Sequence, residues 1–174
     1  TFPLIVDQIL NSLMGVSDHA QLEKVAYSFK WGIEQGFALL SQPFRISVLS
    51  NEQLGYTRLH ENTIYINILP IMKNLANGQR VVEGLILHEL GHHVYHKGPA
   101  KQKIWERAEK ENLHSLLNLV SDEHLERNLR MKNRGYDERL KQLASHAFYR
   151  TNRSYTVIDL LMLLGHRSMA VFTR

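Results

Sequence analysis

Leu85-Ile86-Leu87-His88-Glu89-Leu90-Gly91-His92-His93-Val94-Tyr95-His96 is the stretch on which the reading of this chain turns. At 3.6 residues per turn, His88 and His92 fall one turn apart on one face of a helix, so both imidazoles can reach a single metal ion. Glu89 lies beside them, free to stay off the ion and act as general base on a metal-activated water. Leu85, Leu87, Leu90 and Val94 supply the apolar surface that buries such a helix. Two imidazoles and a carboxylate in so apolar a run are costly without partners. Gly91 costs about 1 kcal/mol against Ala in a helix interior, which predicts a close neighbour at that point.

A second acidic stretch follows on the next long helical segment. Asn118-Leu119-Val120-Ser121-Asp122-Glu123-His124-Leu125-Glu126-Arg127 sets Asp122 and Glu126 one turn apart, with Leu119, Leu125 and Leu129 near their face. Carboxylates beside apolar surface call for a cation or hydrogen-bond donors. Asp122, Glu126 and Glu123 are therefore the candidates for a third ligand. Glu123 ranks last because it can pair with Arg127 on the solvated side. His93 and His96 are read as non-ligands, since a straight stripe from His88 through His92 to His96 spans about 12 Å by helix rise. One ion with bonds of about 2 Å does not reach all of it. His60, Tyr65, His124 and His146 are candidate donors to an oxyanion, with no spacing rule to choose among them.

The His88-Glu89-Leu90-Gly91-His92 motif resembles the active-site helix of the zincin metallopeptidases, and the likeness covers mainly Gly55 to Glu126. The longer metzincin pattern has a histidine ten positions after the first, where this chain has Gly98. The resemblance is thus to the gluzincin-like or aspzincin-like branches. It implies one zinc ion held by His88 and His92, with Glu89 as catalytic base. In gluzincin-like proteins the first acid of the later helix binds metal and the acid one turn on orients a histidine ligand. Carried over, Asp122 becomes the third ligand and Glu126 its supporting residue or alternative. Those proteins place Glu at the first position. Asp is shorter by one methylene, which requires either closer helices or ligation by Glu126 or Glu123.

The implied activity is that of a zinc metallopeptidase, an endopeptidase rather than an exopeptidase, acting on a peptide or protein in extended form. In such proteins the strand just before the metal helix commonly lies along the cleft and pairs with the substrate backbone. Two other readings compete. One is a catalytically silent zincin-like module that binds peptides or proteins, and the other is a basic nucleic-acid-associated domain.

With 174 residues the chain is expected to form one domain over 1–174, of α+β class: mainly helical, zincin-like, with a sheet of about three strands before the metal helix. Leu4, Ile5, Ile9, Leu10 and Leu13 space a first helix between Pro3 and Gly15, and Ser17 or Asp18 can cap a second. That second helix carries an apolar stripe of Leu22, Val25, Ala26, Phe29, Ile33, Phe37 and Leu40. Phe44, Ile46 and Val48 then alternate as in a strand, and segments 55–60 and 63–68 flank Glu61-Asn62 as a hairpin would. The metal helix runs from about Arg80 to Tyr95 and stops at Gly98-Pro99. One long helix or two abutting ones extend from about Lys101 to Met131, with Trp105, Leu113, Leu116, Leu117 and Val120 on the expected buried side. Further helices begin at Tyr136 and near Ile158.

Composition sets the bounds. Apolar residues at 44% and charged residues at 22% are ordinary for a globular protein, and no run is apolar enough to span a membrane. Without cysteine there is neither a disulfide framework nor a thiolate zinc site, and a cytoplasmic location is slightly favoured. No signal-peptide pattern is seen, and a start at Thr1 points to a processed chain or to a piece of a larger protein with flanking domains as further partners. The net charge of +4 is mild, and the basic residues near Met131 lack interleaved aromatics, so a nucleic-acid partner is not expected.

Overall fold

A computed structural model describes residues 19–49 and 53–149. The expected helix between Pro3 and Gly15, the caps at Ser17 or Asp18 and the helix near Ile158 lie outside these residues. In order, the described elements are α1 (His19–Leu40), β1 (Arg45–Val48), β2 (Gly55–Arg58), β3 (Thr63–Ile66), α2 (Leu69–Met72), α3 (Gly78–Tyr95), α4 (Pro99–Lys110), α5 (His114–Lys132) and α6 (Arg134–Tyr149). The architecture is α+β, mainly helical with one small mixed sheet.

Helix α3 is the element around which the others assemble. It is apolar on nearly every side, and a helix of that kind is stable only when surrounded. Val81, Val82, Leu85, Ile86, Leu87 and Leu90 are all buried, against α1, the sheet, α5 and α6. The helix closes where the His96 N–H bonds the His92 carbonyl at 2.9 Å. Gly98 follows with φ 124, a left-handed conformation that glycine adopts without a Cβ penalty, and Pro99 opens α4.

The sheet order is β1-β3-β2. β3 pairs with β1 in parallel, Ile46 opposite Ile64, and with β2 antiparallel, Tyr56 opposite Tyr65. The strand nearest α3 in sequence is therefore central, with both of its edges taken. Among the described residues β1 and β2 are the two edges of the sheet, and neither is the strand just before α3. Asn62, at φ 49, makes the left-handed turn residue of the hairpin, in the place where Glu61-Asn62 suggested one.

Two apolar stripes differ from their sequence reading. In α1 the buried face holds Val25 and Phe29, but also Gln21, Ser28, Gly32 and Gly36, while Phe37 is 54% exposed. The helix is rotated because its backbone at Gly32 serves as a contact surface: a Cβ there would stand 2.7 Å from Ile86 Cγ2. In the segment after α3 two helices form, and Leu113, Leu116 and Val120 are exposed. The buried face of α5 is instead Ser121, Leu125, Glu126 and Leu129, because only the C-terminal half of α5 crosses α3.

One buried charge fastens α6 to α3. Glu83 is 1% exposed and accepts hydrogen bonds from Arg139 Nε at 2.6 Å and Gln79 Nε2 at 3.1 Å. The Arg139 guanidinium also lies over the Trp31 ring, 4.3 Å from its centroid, which joins α1 to the same contact. Without Arg139, Glu83 keeps Gln79 and the more distant Arg80 at 3.6 Å, so the cost falls below that of a fully stranded buried charge, to about 2 kcal/mol. Arg139→Ala should lower the unfolding free energy by that order in denaturant titration, and adding Glu83→Leu should recover most of the loss.

Candidate metal centre

His88 and His92 project from α3 with ring centroids 5.2 Å apart and planes at 76°. Asp122, on α5, meets both: its Oδ1 is 3.6 Å from His88 Nε2 and 3.4 Å from His92 Nε2. One ligand atom from each of the three residues lies within 4.8 Å of the others, so the cluster could hold a metal ion. Tetrahedral bonds of about 2.1 Å place neighbouring ligand atoms roughly 3.4 Å apart, which is the spacing Asp122 keeps to each imidazole. Asp122 Oδ1 is buried and has no hydrogen-bond partner among the described residues. A buried carboxylate oxygen without a donor is costly, and a cation at this position removes the cost. The donor set of two imidazoles and a carboxylate thus fits a divalent metal.

The neighbours fix how each imidazole is presented. His88 Nδ1 donates to Glu126 Oε1 at 3.1 Å, and this partner orients the ring so that Nε2 faces Asp122. Arg130 Nη2 holds the other Glu126 oxygen at 2.8 Å. Burial disfavours the charged His88 ring. The Glu126 hydrogen bond and the charges of Glu89, Glu126 and Asp122 outweigh it and raise the pKa to about 9. On the second imidazole, His92 Nδ1 lies 3.0 Å from His96 Nδ1. His96 is held neutral, its pKa lowered to about 4 by burial and then by the charges of His92 and His124. A neutral ring can accept the proton of His92 Nδ1–H, which leaves His92 Nε2 free to bind.

Glu89 stands in the same cleft and off the cluster. Its carboxyl is buried, and burial raises its pKa against the opposing pull of His88 and His92. Its Oε1 lies against Gly55 at the start of β2: a Cβ on Gly55 would be 3.1 Å from that oxygen. His93 points to the sheet, where its Nε2 donates to the Thr57 hydroxyl while Thr57 Oγ1 donates to the Thr63 carbonyl. Burial and the Lys97 charge lower the His93 pKa to about 4, so it serves as a neutral tie between α3 and β2.

The cleft over these residues has a volume of about 680 Å³. β2 borders it with Gly55, Tyr56 and Thr57, α6 with Leu143, Ala144 and Ala147, and the α4–α5 side with Trp105, Leu119 and Val120. His88, Glu89, His92, Asp122, Glu123 and Glu126 all line it. Glu123 is engaged by Arg127 at 2.9 Å, on the side its spacing suggested. Of the suggested oxyanion donors, His60, Tyr65, His124 and His146 do not line the cleft. His124 instead packs against Tyr95 and His96, with ring centroids 5.6 and 5.7 Å away.

Sequence reasoning missed Gly55, Thr57, Arg130 and the His92–His96 contact. Arg130 was legible as the i+4 partner of Glu126. Gly55 carried no signal, because the close approach of Glu89 to β2 is made only by the packing of α3 on the sheet. Comparison with protein-family models, with curated proteins and with solved structures gives no match.

The residues that orient metal-binding histidines are typically worth ten- to a hundredfold in metal affinity. Glu126→Ala and His96→Ala should each weaken binding by about that factor in a chelator-competition titration, with helical content unchanged. Gly91→Ala should also weaken it, since a Cβ there would stand 2.8 Å from Leu125 Cδ1 and force α5 outward.

Proposed function

We propose that this protein is a zinc-dependent metallopeptidase of the zincin type, cleaving polypeptides internally. The observation that carries the reading is the meeting of His88, His92 and the buried Asp122 Oδ1, which has no hydrogen bond among the described residues, beside a buried Glu89. Two imidazoles with one carboxylate suit zinc among the divalent ions. When bound, zinc supplies Lewis acidity that brings the pKa of water down toward 7 and polarises a carbonyl.

The chain's own residues do the rest. His88, His92 and Asp122 hold the ion, while Glu126 with Arg130 and His96 keep the two rings in their binding tautomer. Glu89 takes the proton of the attacking water and passes it to the leaving amine, and burial, which raises its pKa above the ordinary carboxylate range, makes it a stronger base than a solvated carboxylate. Gly55 lets that carboxylate sit against β2. The β2 edge, bordering the cleft, can align an extended substrate backbone by strand addition with little demand on side chains. Among the described residues no Lys or Arg lines the cleft to hold a terminal carboxylate, and Glu123 is already engaged by Arg127. Both facts support internal cleavage.

Elemental mass spectrometry of protein purified without chelator should find one zinc per chain, lost in His88→Ala, His92→Ala and Asp122→Ala. Glu89→Gln should keep the metal and lose peptide cleavage by about 10²- to 10⁴-fold in kcat, the usual share of a general base. Undiminished cleavage by Glu89→Gln overturns the mechanism. Metal-loaded protein that binds peptides and cleaves none is a binding module.

A further inference from the structure

We infer that the arm formed by α4 and the first half of α5 is a docking face for the polypeptide being cut, and that the substrate class is extended polypeptide rich in large apolar side chains. The inference rests on the peptidase reading above and adds to it what the enzyme selects.

The arm is unusual in what it leaves uncovered. From Pro99 to Val120, Ala108 is the only buried residue. Short helices owe most of their stability to burial of an apolar face, and these two segments leave theirs open among the described residues. Ile104, Leu113, Leu116 and Val120 are 50%, 44%, 50% and 56% exposed. Leu113, Leu116 and Val120 recur at helical spacing and so share one face of α5, and the Leu113 N–H bonds the Ala108 carbonyl at 2.7 Å, which ties that face to α4. Grouped rather than scattered exposure of large apolar side chains is a feature of interaction sites.

Continuity identifies the occupant. Val120 belongs to the exposed face and to the cleft wall at once, beside Trp105 and Leu119, and stands half a turn before Asp122 on the same helix. A chain lying in the cleft along β2 therefore runs on to the arm. The cleft walls it leaves are apolar as well, with Leu54, Leu85 and Leu143 among them. Charge argues against a membrane surface. The arm carries four basic residues, Lys101, Lys103, Arg107 and Lys110, against three acidic ones, Glu106, Glu109 and Glu111, whereas interfacial helices are rich in Lys and Arg on the polar side.

The test uses the metal-loaded full chain carrying Glu89→Gln and two labelled peptides of equal length, one with Leu and Phe around a central bond and one with Ser and Gln. Fluorescence anisotropy should show the apolar peptide binding at least about tenfold tighter, as one or two buried large side chains provide. Adding Ile104→Glu and Leu116→Glu should bring its affinity down to that of the polar peptide, with circular dichroism and metal content unchanged. In the protein with Glu89 restored, the same two substitutions should raise KM for the apolar peptide. Equal binding of both peptides, or selectivity that survives the two substitutions, overturns the inference. Faster cleavage of both peptides by the substituted protein also overturns it, because the face is then covered by a segment of the chain itself. Selective binding that the substitutions abolish, with no cleavage of either peptide by the native protein, supports the docking face and overturns the peptidase reading alone.

Discussion

At Gly91 the backbone of α3 comes so near α5 that a Cβ would meet Leu125 Cδ1 at 2.8 Å and Leu129 Cδ1 at 3.0 Å. That closeness is the constraint on which the site depends. Asp122 has a short side chain, and it reaches both imidazoles only because its helix lies against α3 without an intervening side chain at position 91. The helical penalty of a glycine, about 1 kcal/mol, is offset by what the approach makes available. Leu125 and Leu129, fully buried, hold the two helices at this distance, so the apolar core and the polar cluster are set by one contact.

The buried ionisable groups divide into two kinds. Glu83 is met by Arg139 and Gln79, and Glu126 by His88 and Arg130, so each of these carboxylates has its donors within the chain. Asp122 Oδ1 differs, a buried oxygen without a hydrogen bond among the described residues that faces two imidazole nitrogens turned toward it by partners behind them. An arrangement in which the supporting hydrogen bonds are complete and the inner oxygen is left without one is what a cation-binding cluster requires. The same low-dielectric surroundings raise the pKa of Glu89 beside that cluster.

The cleft is asymmetric in its materials. One border is an edge strand, with Gly55, Tyr56 and Thr57, and another is the α4–α5 side, with the apolar side chains of Trp105, Leu119 and Val120. The tie from His93 to Thr57 fixes β2 to α3, so the strand edge and Glu89 are held in one frame.

Much of this was legible in residue order. The spacing of His88, Glu89 and His92 follows from helical periodicity alone, as do the pairing of Glu123 with Arg127 and the placement of Asp122 and Glu126 on a common face, since each depends only on contacts within one helix. The α+β class and the hairpin were likewise local, written in alternation and in turn residues. Position in space was not. Which strand lies at the edge, the rotation of α1 onto Gly32, the exposure of Leu113, Leu116 and Val120, and the meeting of Gly55 with Glu89 all depend on how elements far apart in the chain are stacked. Periodicity reports which side chains share a face. Only tertiary packing decides which faces are covered, because burial is a property of the neighbour as much as of the residue.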